Sequence, residues 1–105
     1  MSEKILQFLS EPARETPFLV LDLDLVVERY REVKNALPDI DVYYAVKANP
    51  ADEIITALAD EGSCFDVASI PEMEAGIRLG ISADRMSYGH TIKKESDIEK
   101  AHAAG

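Results

Sequence analysis

The fold of this chain is decided by the stretch Asp41-Val42-Tyr43-Tyr44-Ala45-Val46-Lys47-Ala48-Asn49-Pro50. Residues 41–46 are mostly β-branched or aromatic, a composition that favours a strand. Asn49-Pro50 then interrupts the backbone. The apolar residues within 54–59 recur at helical spacing, and Gly62 supplies a stop for that helix. The stretch therefore predicts a strand followed directly by a helix.

The same unit occurs twice more towards the end of the chain. Cys64–Ala68 and Arg85–Tyr88 are the next strand candidates, and a helix is predicted after each. Ser69 and Glu72 have the spacing of a capping box at the first of these helices. Met73, Ile77 and Leu79 are its predicted inward-facing residues and Gly80 its end, while the last helix spans Glu95–Ala104 before Gly105.

Alternating strands and helices at this spacing predict parallel strands joined by right-handed crossovers. The pattern suits an α/β fold, either a (β/α)8 barrel or an open doubly wound sheet. A complete barrel needs about 250 residues, so the 105 residues of this chain can supply at most part of one. We therefore expect the N-terminal part of a larger enzyme, with 23–105 forming the first three βα units.

The residues before the first unit follow a different pattern. A short helix is predicted over 2–10, a polar connector over 11–17, and a buried strand over Phe18–Leu21. A helix over 24–37 follows and ends at Pro38. The predicted strand at 18–21 lies outside the repeat, and it would have to pair with a strand from another part of the protein.

Composition narrows the class of protein. Apolar residues make up 47% of the chain, as is usual in globular proteins. The net charge of −9 argues against a nucleic-acid partner. Cys64 is the one cysteine, so no intrachain disulfide is possible and a reducing cytoplasm is expected. No apolar run approaches the ~20 residues needed to span a bilayer, and the N-terminus lacks the apolar core of a signal peptide.

Chemistry in parallel α/β sheets collects at the carboxyl ends of the strands. The predicted strands bring Lys47, Asp66 and His90 to one such edge. A lysine at a strand end beside small alanines is expected to be partly desolvated, as Schiff-base chemistry requires. On spacing alone, a lysine that extends its ammonium to solvent is the simpler interpretation.

The other polar residues at this edge also allow two interpretations. Asp66 interrupts an apolar strand, so it either pairs with a cation such as Lys47 or caps a local turn. His90 has the chemistry for proton transfer, but a lone histidine after a strand is more often a polar loop residue. Cys64 fits a small buried side chain better than a nucleophile. Two histidines at no ligand spacing predict no metal site.

Three motifs carry a family resemblance. The segment Tyr43–Pro50 resembles the lysine motif of the fold-type III, or alanine-racemase-like, decarboxylases that use pyridoxal 5'-phosphate (PLP). The segment Gly62–Ser69 with Pro71–Glu74 resembles the second-strand motif of that family, and Tyr88–Lys94 its third. They follow in the family's order over nearly the whole chain. The Thr91-Ile92-Lys93-Lys94 ending is most similar to the ornithine and lysine/ornithine decarboxylases.

The resemblance implies roles for the matching residues. Lys47 is expected to form the Schiff base with PLP and to release it to the substrate amine. Asp66 is expected beside the Schiff base and the cofactor ring, and Ala45 beneath the ring. Loss of CO2 with PLP as electron sink would convert an amino acid, most simply ornithine, to a diamine, putrescine. Diaminopimelate and carboxynorspermidine decarboxylases, and homologues that bind or regulate without catalysis, are the alternatives.

The resemblance also sets limits. His90 departs from the asparagine usual at its position, and its role is left open. The phosphate site, the acid facing the pyridine nitrogen and the residues supplied across a homodimer are expected beyond Gly105, so the chain alone is not expected to decarboxylate. Residues 1–22 are expected to associate with the family's second, β-rich domain.

Overall fold

Three short parallel strands form the sheet of the computed structural model, which describes residues 2–11 and 15–105. The strands are β1 (Tyr43–Ala45), β2 (Cys64–Val67) and β3 (Met86–Tyr88), and they lie side by side in chain order. Both pairs are parallel. The predicted α/β class with crossover helices is confirmed, and its three units match the start of a (β/α)8 barrel.

Five helices accompany the sheet within the described residues. They are α1 (Glu3–Ser10), α2 (Leu23–Ala36), α3 (Asp52–Asp60), α4 (Ile70–Arg78) and α5 (Glu95–Ala103). Two short 3-10 helices, Val46–Ala48 and Ala83–Arg85, follow β1 and precede β3. The helix stops were predicted correctly, because Gly62 and Gly80 adopt the positive φ angles of 88° and 82° that favour glycine.

The two faces of the sheet differ. On one face Phe65 and Val67 are 1% exposed and belong to the hydrophobic core formed with the helices. Residues alternate between faces along a strand, so the opposite face carries Tyr43, Cys64 and Asp66, all more exposed than the core. The core is made by apolar residues of the helices, strands and loops: Tyr30, Val46, Ile54, Ile55, Leu58, Phe65, Val67, Ile70, Met73 and Ile81.

The predicted capping box at α4 is present, but the Glu72 side chain bonds to the residue before the N-cap. The Ser69 side chain accepts a hydrogen bond from the backbone N–H of Glu72 at 3.4 Å. The Glu72 carboxylate accepts from the N–H of Ala68 at 2.7 Å, where the usual box uses the N-cap residue itself. This bond fixes the chain as it leaves β2 and turns into α4.

Two sequence expectations about burial are wrong. Residues 18–21 form no strand, and Leu19 is 79% exposed, because a strand needs a hydrogen-bonded neighbour and no described strand lies beside them. Ile77 is 44% exposed, and the buried face of α4 is instead Ile70, Met73 and Gly76. The side of α4 that faces the sheet therefore carries Ile70, Met73 and Gly76, and Ile77 lies off that side.

The N-terminal segment is held to α2 by local contacts. The Ser2 hydroxyl donates to the carboxylate of Asp22 at 2.6 Å, and Lys4 forms an ion pair with Asp24. The rings of Phe8 and Phe18 meet edge-to-face with centroids 6.3 Å apart. Its association with a second, β-rich domain stays a prediction, and the connector residues 12–14 lie outside the described part of the chain.

Candidate active site

The carboxyl ends of the strands bring Ala45, Asp66 and Ser87 into one row. Ala45 on β1 is paired with Asp66 on β2, and Asp66 is paired with Ser87 on β3. Neighbouring strands lie about 4.8 Å apart, and paired residues of parallel strands point to the same side. Ala45 and Asp66, two of the predicted site residues, are therefore direct neighbours on the open face of the sheet.

Lys47 does not lie on the strand itself. β1 ends at Ala45, and Lys47 is the central residue of the 3-10 helix Val46–Ala48. The turn buries Val46 to 2% exposure and leaves Lys47 exposed. The expectation that the lysine is partly desolvated is thus wrong for this structure, because the turn carries its side chain off the sheet. Within residues 2–11 and 15–105 its ammonium forms neither an ion pair nor a hydrogen bond.

The turn that carries Lys47 is closed by Tyr44 and Asn49. The Tyr44 hydroxyl donates to the backbone carbonyl of Asn49 at 3.1 Å, and the Asn49 side chain accepts from the N–H of Ala51 at 3.1 Å. The Tyr44 ring also packs edge-to-face on Phe65, with centroids 6.4 Å apart. Burial of the phenol raises the pKa of Tyr44 above its usual value. The role of Tyr44 in shaping the site was not predicted from the sequence, although Asn49 before a helix is a recognisable turn signal.

Neither predicted partner of Asp66 is found. The half-buried carboxylate forms no ion pair with Lys47, and it caps no turn among the residues that the structure describes. It lies instead against the backbone of Gly89, just beyond the end of β3. A Cβ built on Gly89 would stand 3.0 Å from the Asp66 carboxyl carbon and closer still to Oδ1.

His90 is at the same edge but faces a different environment. It is exposed, and its Nδ1 accepts a hydrogen bond from the N–H of Ile92 at 2.9 Å. Lys93 donates to the His90 carbonyl at 2.5 Å and lies 5.2 Å from the centre of the Tyr88 ring. A cavity of about 380 Å³ adjoins these residues and the start of α4. The structure therefore places His90 in a local turn and shows no contact with Lys47 or Asp66.

Cys64 shares the open face with Asp66 and lies beside its strand partner Tyr43. It is half-buried and its thiol is free. No group of three or more metal-ligating side chains occurs in the described ranges 2–11 and 15–105. Across the same residues, every helix is too short or too polar to cross a membrane. The chemistry of the edge therefore rests on an amine and a carboxylate.

Comparison with known proteins identifies the family. Residues 23–105 match the model of the pyridoxal-dependent decarboxylases, specifically their pyridoxal-binding domain. The chain belongs to this family. Its predicted membership and cofactor class are confirmed, and the match begins at Leu23, the first residue of α2.

The similar proteins include lysine/ornithine decarboxylases. The chain is 43% identical over 101 residues to a lysine/ornithine decarboxylase of Selenomonas ruminantium, covering 96% of the chain and 25% of that protein. A lysine/ornithine decarboxylase of Vibrio vulnificus, solved with putrescine, matches with a TM-score of 0.82 and 39% identity over 86% of the chain and 25% of its own. The chain thus spans about a quarter of the length of these relatives.

A third similar structure contains the cofactor. The Selenomonas ruminantium lysine decarboxylase solved with PLP and cadaverine matches with a TM-score of 0.83 and 44% identity over 98% of the chain and 26% of its own. The residues at the sheet edge fit such a group. Among the described residues, Lys47 offers a primary amine without a protein partner, Asp66 offers a carboxylate without one, and Ala45 beside Asp66 has only a small side chain.

Proposed function

We propose that the protein containing this chain is a PLP-dependent decarboxylase of a basic amino acid, with ornithine as its substrate and putrescine as its product. The family and the lysine/ornithine decarboxylases similar to the chain support this assignment. The ornithine branch is favoured by the Thr91–Lys94 motif. The net charge of −9 also favours the approach of a cationic substrate over an anionic one.

The proposal rests mainly on the position of Lys47. Schiff-base formation uses the unprotonated amine, and Lys47 can reach that form without first breaking a salt bridge, because no described residue pairs with it. Lys47 stands two residues beyond Ala45, next to the Ala45–Asp66 pair. The Tyr44–Asn49 hydrogen bond fixes the backbone of its turn, so the side chain always extends from the same place at the end of β1.

The bound cofactor supplies an electron sink for the carbanion that forms when CO2 leaves. The chain's own residues have simpler tasks. Lys47 holds the cofactor and gives it up to the substrate amine, and Asp66 places a negative charge beside the cofactor ring. Ala45 presents a small apolar surface on which a flat ring can lie. These three roles are predictions from the family resemblance.

The test uses the protein with its complete sequence and three forms of it: unaltered, Lys47→Ala and Lys100→Ala. Lys100 is an exposed lysine on α5 and serves as the matched control. We expect the visible absorbance band of bound PLP in the unaltered protein and in Lys100→Ala, and its loss in Lys47→Ala. CO2 release should be fastest from ornithine among ornithine, lysine and diaminopimelate.

The possible outcomes separate the alternatives. A band that persists in Lys47→Ala would rule out this lysine as the attachment point. Cofactor binding without CO2 release from any of the three amino acids would indicate a non-catalytic homologue. Faster release from diaminopimelate would move the protein to the neighbouring branch of the family.

We further propose a homodimer located in the cytoplasm that takes part in polyamine synthesis. The dimer follows from the family resemblance, and the single free thiol of Cys64 suits a reducing compartment. Analytical ultracentrifugation of the complete protein tests the dimer, since a mass of one chain at micromolar concentration would contradict it. Cell fractionation tests the location.

A further inference from the structure

We propose that Gly89 is a positioning residue: the absence of its side chain sets where the Asp66 carboxylate stands. This inference rests on the proposed function only for its effect on the cofactor. Its geometric part stands on the contact between the two residues. A Cβ at position 89 would lie 3.0 Å from Asp66 Cγ and 3.2 Å from Oδ2, with Oδ1 nearer than either.

Gly89 matters because it lacks a side chain, and not because its backbone adopts a conformation that favours glycine. Gly89 is absent from the glycines with positive φ among the described residues, which include Gly62 and Gly80. An alanine could therefore adopt the same backbone without strain. The φ angle at position 89 thus gives no reason to require glycine, and the Asp66 carboxylate is what a Cβ there would meet.

The backbone of Gly89 is not free to retreat from an added methyl group. Its N–H donates to the carbonyl of Val67 at 3.0 Å, which continues the pairing of β2 with β3 beyond Tyr88. Val67 is itself 1% exposed and fixed in the core. Asp66 is the movable partner, because no hydrogen bond or ion pair of the described residues holds its carboxylate. A methyl group at position 89 would turn the Asp66 side chain away from the end of β3.

The direction in which the Asp66 side chain rotates matters for the site. Asp66 is paired with Ala45 on the other side, and Lys47 follows two residues later. In the observed position the carboxylate lies against Gly89, just beyond the end of β3. A carboxylate driven from that position would move its charge relative to a cofactor resting on Ala45. Gly89 therefore sets the distance between this charge and the cofactor.

A double-mutant cycle in the complete protein tests this inference. The four forms are the unaltered protein, Gly89→Ala, Asp66→Ala and the double variant. Two quantities are measured: the side-chain carboxyl 13C resonance of Asp66 in the cofactor-free protein, and the dissociation constant of PLP from protein fluorescence. We expect Gly89→Ala to shift the Asp66 resonance and to weaken PLP binding about tenfold, within the range found for side chains in contact. In the Asp66→Ala background the same methyl group should change PLP binding less than twofold.

Each result decides the inference. An unchanged Asp66 resonance in Gly89→Ala overturns it, as does an equal loss of PLP affinity with and without Asp66, which would mean that the methyl group obstructs the cofactor directly. If the unaltered protein fails to bind PLP, the proposed function fails, and the Asp66 resonance alone decides the role of Gly89. Equal urea midpoints for the four forms would show that the fold is intact.

Discussion

The guanidinium of Arg85 donates a hydrogen bond to the backbone carbonyl of Ser63 at 2.6 Å, and the same nitrogen donates to the carbonyl of Ala59 at 2.9 Å. Ala59 lies in the last turn of α3, where carbonyl groups lack partners within the helix. Ser63 is fully buried and precedes β2. One half-buried side chain before β3 therefore fixes the end of α3 and the entry to the central strand.

Replacing Arg85 with methionine should destabilise the fold strongly. Methionine keeps an apolar stem but leaves two carbonyls without their charged donor, and hydrogen bonds to charged groups contribute about 1.5–3 kcal/mol each. We expect a loss of about 2–4 kcal/mol in the free energy of unfolding, measured by urea titration. Arg78→Met is the control, because it removes an exposed ion pair with Asp52. Equal effects of the two substitutions would contradict the assigned role of Arg85.

Removing the Tyr44 hydroxyl should loosen the turn around Lys47. Tyr44→Phe retains the ring on Phe65 but leaves the Asn49 carbonyl without its donor. The expected cost is about 1 kcal/mol in the free energy of unfolding, with faster amide hydrogen exchange at 46–49. The Tyr88 hydroxyl forms no hydrogen bond among the described residues, so Tyr88→Phe should leave both measurements unchanged. Unaltered exchange in Tyr44→Phe would show that the turn is held by other contacts.

Arg78 should lower the titration midpoint of Asp52. Hydrogen bonds from the guanidinium hold the pKa of this carboxyl below its usual value. A depressed carboxyl pKa stabilises the folded state above the unfolded pKa, and this contribution is lost as pH falls through the folded value. We expect the Asp52 carboxyl resonance to titrate at higher pH in Arg78→Met than in the unaltered protein. Identical midpoints would mean that the ion pair does not persist in solution.

Removing the His90 imidazole should open its turn. Its Nδ1 accepts from the N–H of Ile92 at 2.9 Å, and an alanine side chain offers no acceptor. We expect the amide resonance of Ile92 to move and its hydrogen exchange to quicken in His90→Ala.

His90→Asn provides the matched control for this experiment. An asparagine side chain can accept the same backbone hydrogen bond through its amide oxygen. The exchange rate of the Ile92 N–H should then stay close to that of the unaltered protein. Equal exchange in His90→Ala and His90→Asn would show that the imidazole does not hold the turn.

The order of elements could be predicted because it depends on local patterns. The apolar spacing in 54–59, the cap at Ser69 and the glycine stops each specify their element within a few neighbours. Burial was harder to predict. The 3-10 helix after Ala45 exposes Lys47, and the exposed Ile77 depends on how α4 lies on the sheet. Periodicity gives a helix an apolar face but does not give its exact rotation.

Contacts between distant residues account for the rest. Asp66 and Gly89 are brought together only by the pairing of β2 with β3, and neither residue has a local signal that names the other. Arg85 reaches Ser63 in the same way. The row of paired residues at the carboxyl ends of the strands could be predicted from the strands alone, but the surroundings of Asp66 could not. The rule that sites form at the carboxyl ends of parallel strands identifies which residues lie in the row, but it does not say where their side chains point.

Lys47 combines a fixed base with a mobile tip. Its backbone is held through Tyr44 and Asn49, while the four-carbon stem beyond it rotates without breaking any contact among the described residues. Within this part of the chain, the length of the lysine side chain therefore sets how far the amine can reach, and the end of β1 sets the centre from which it reaches.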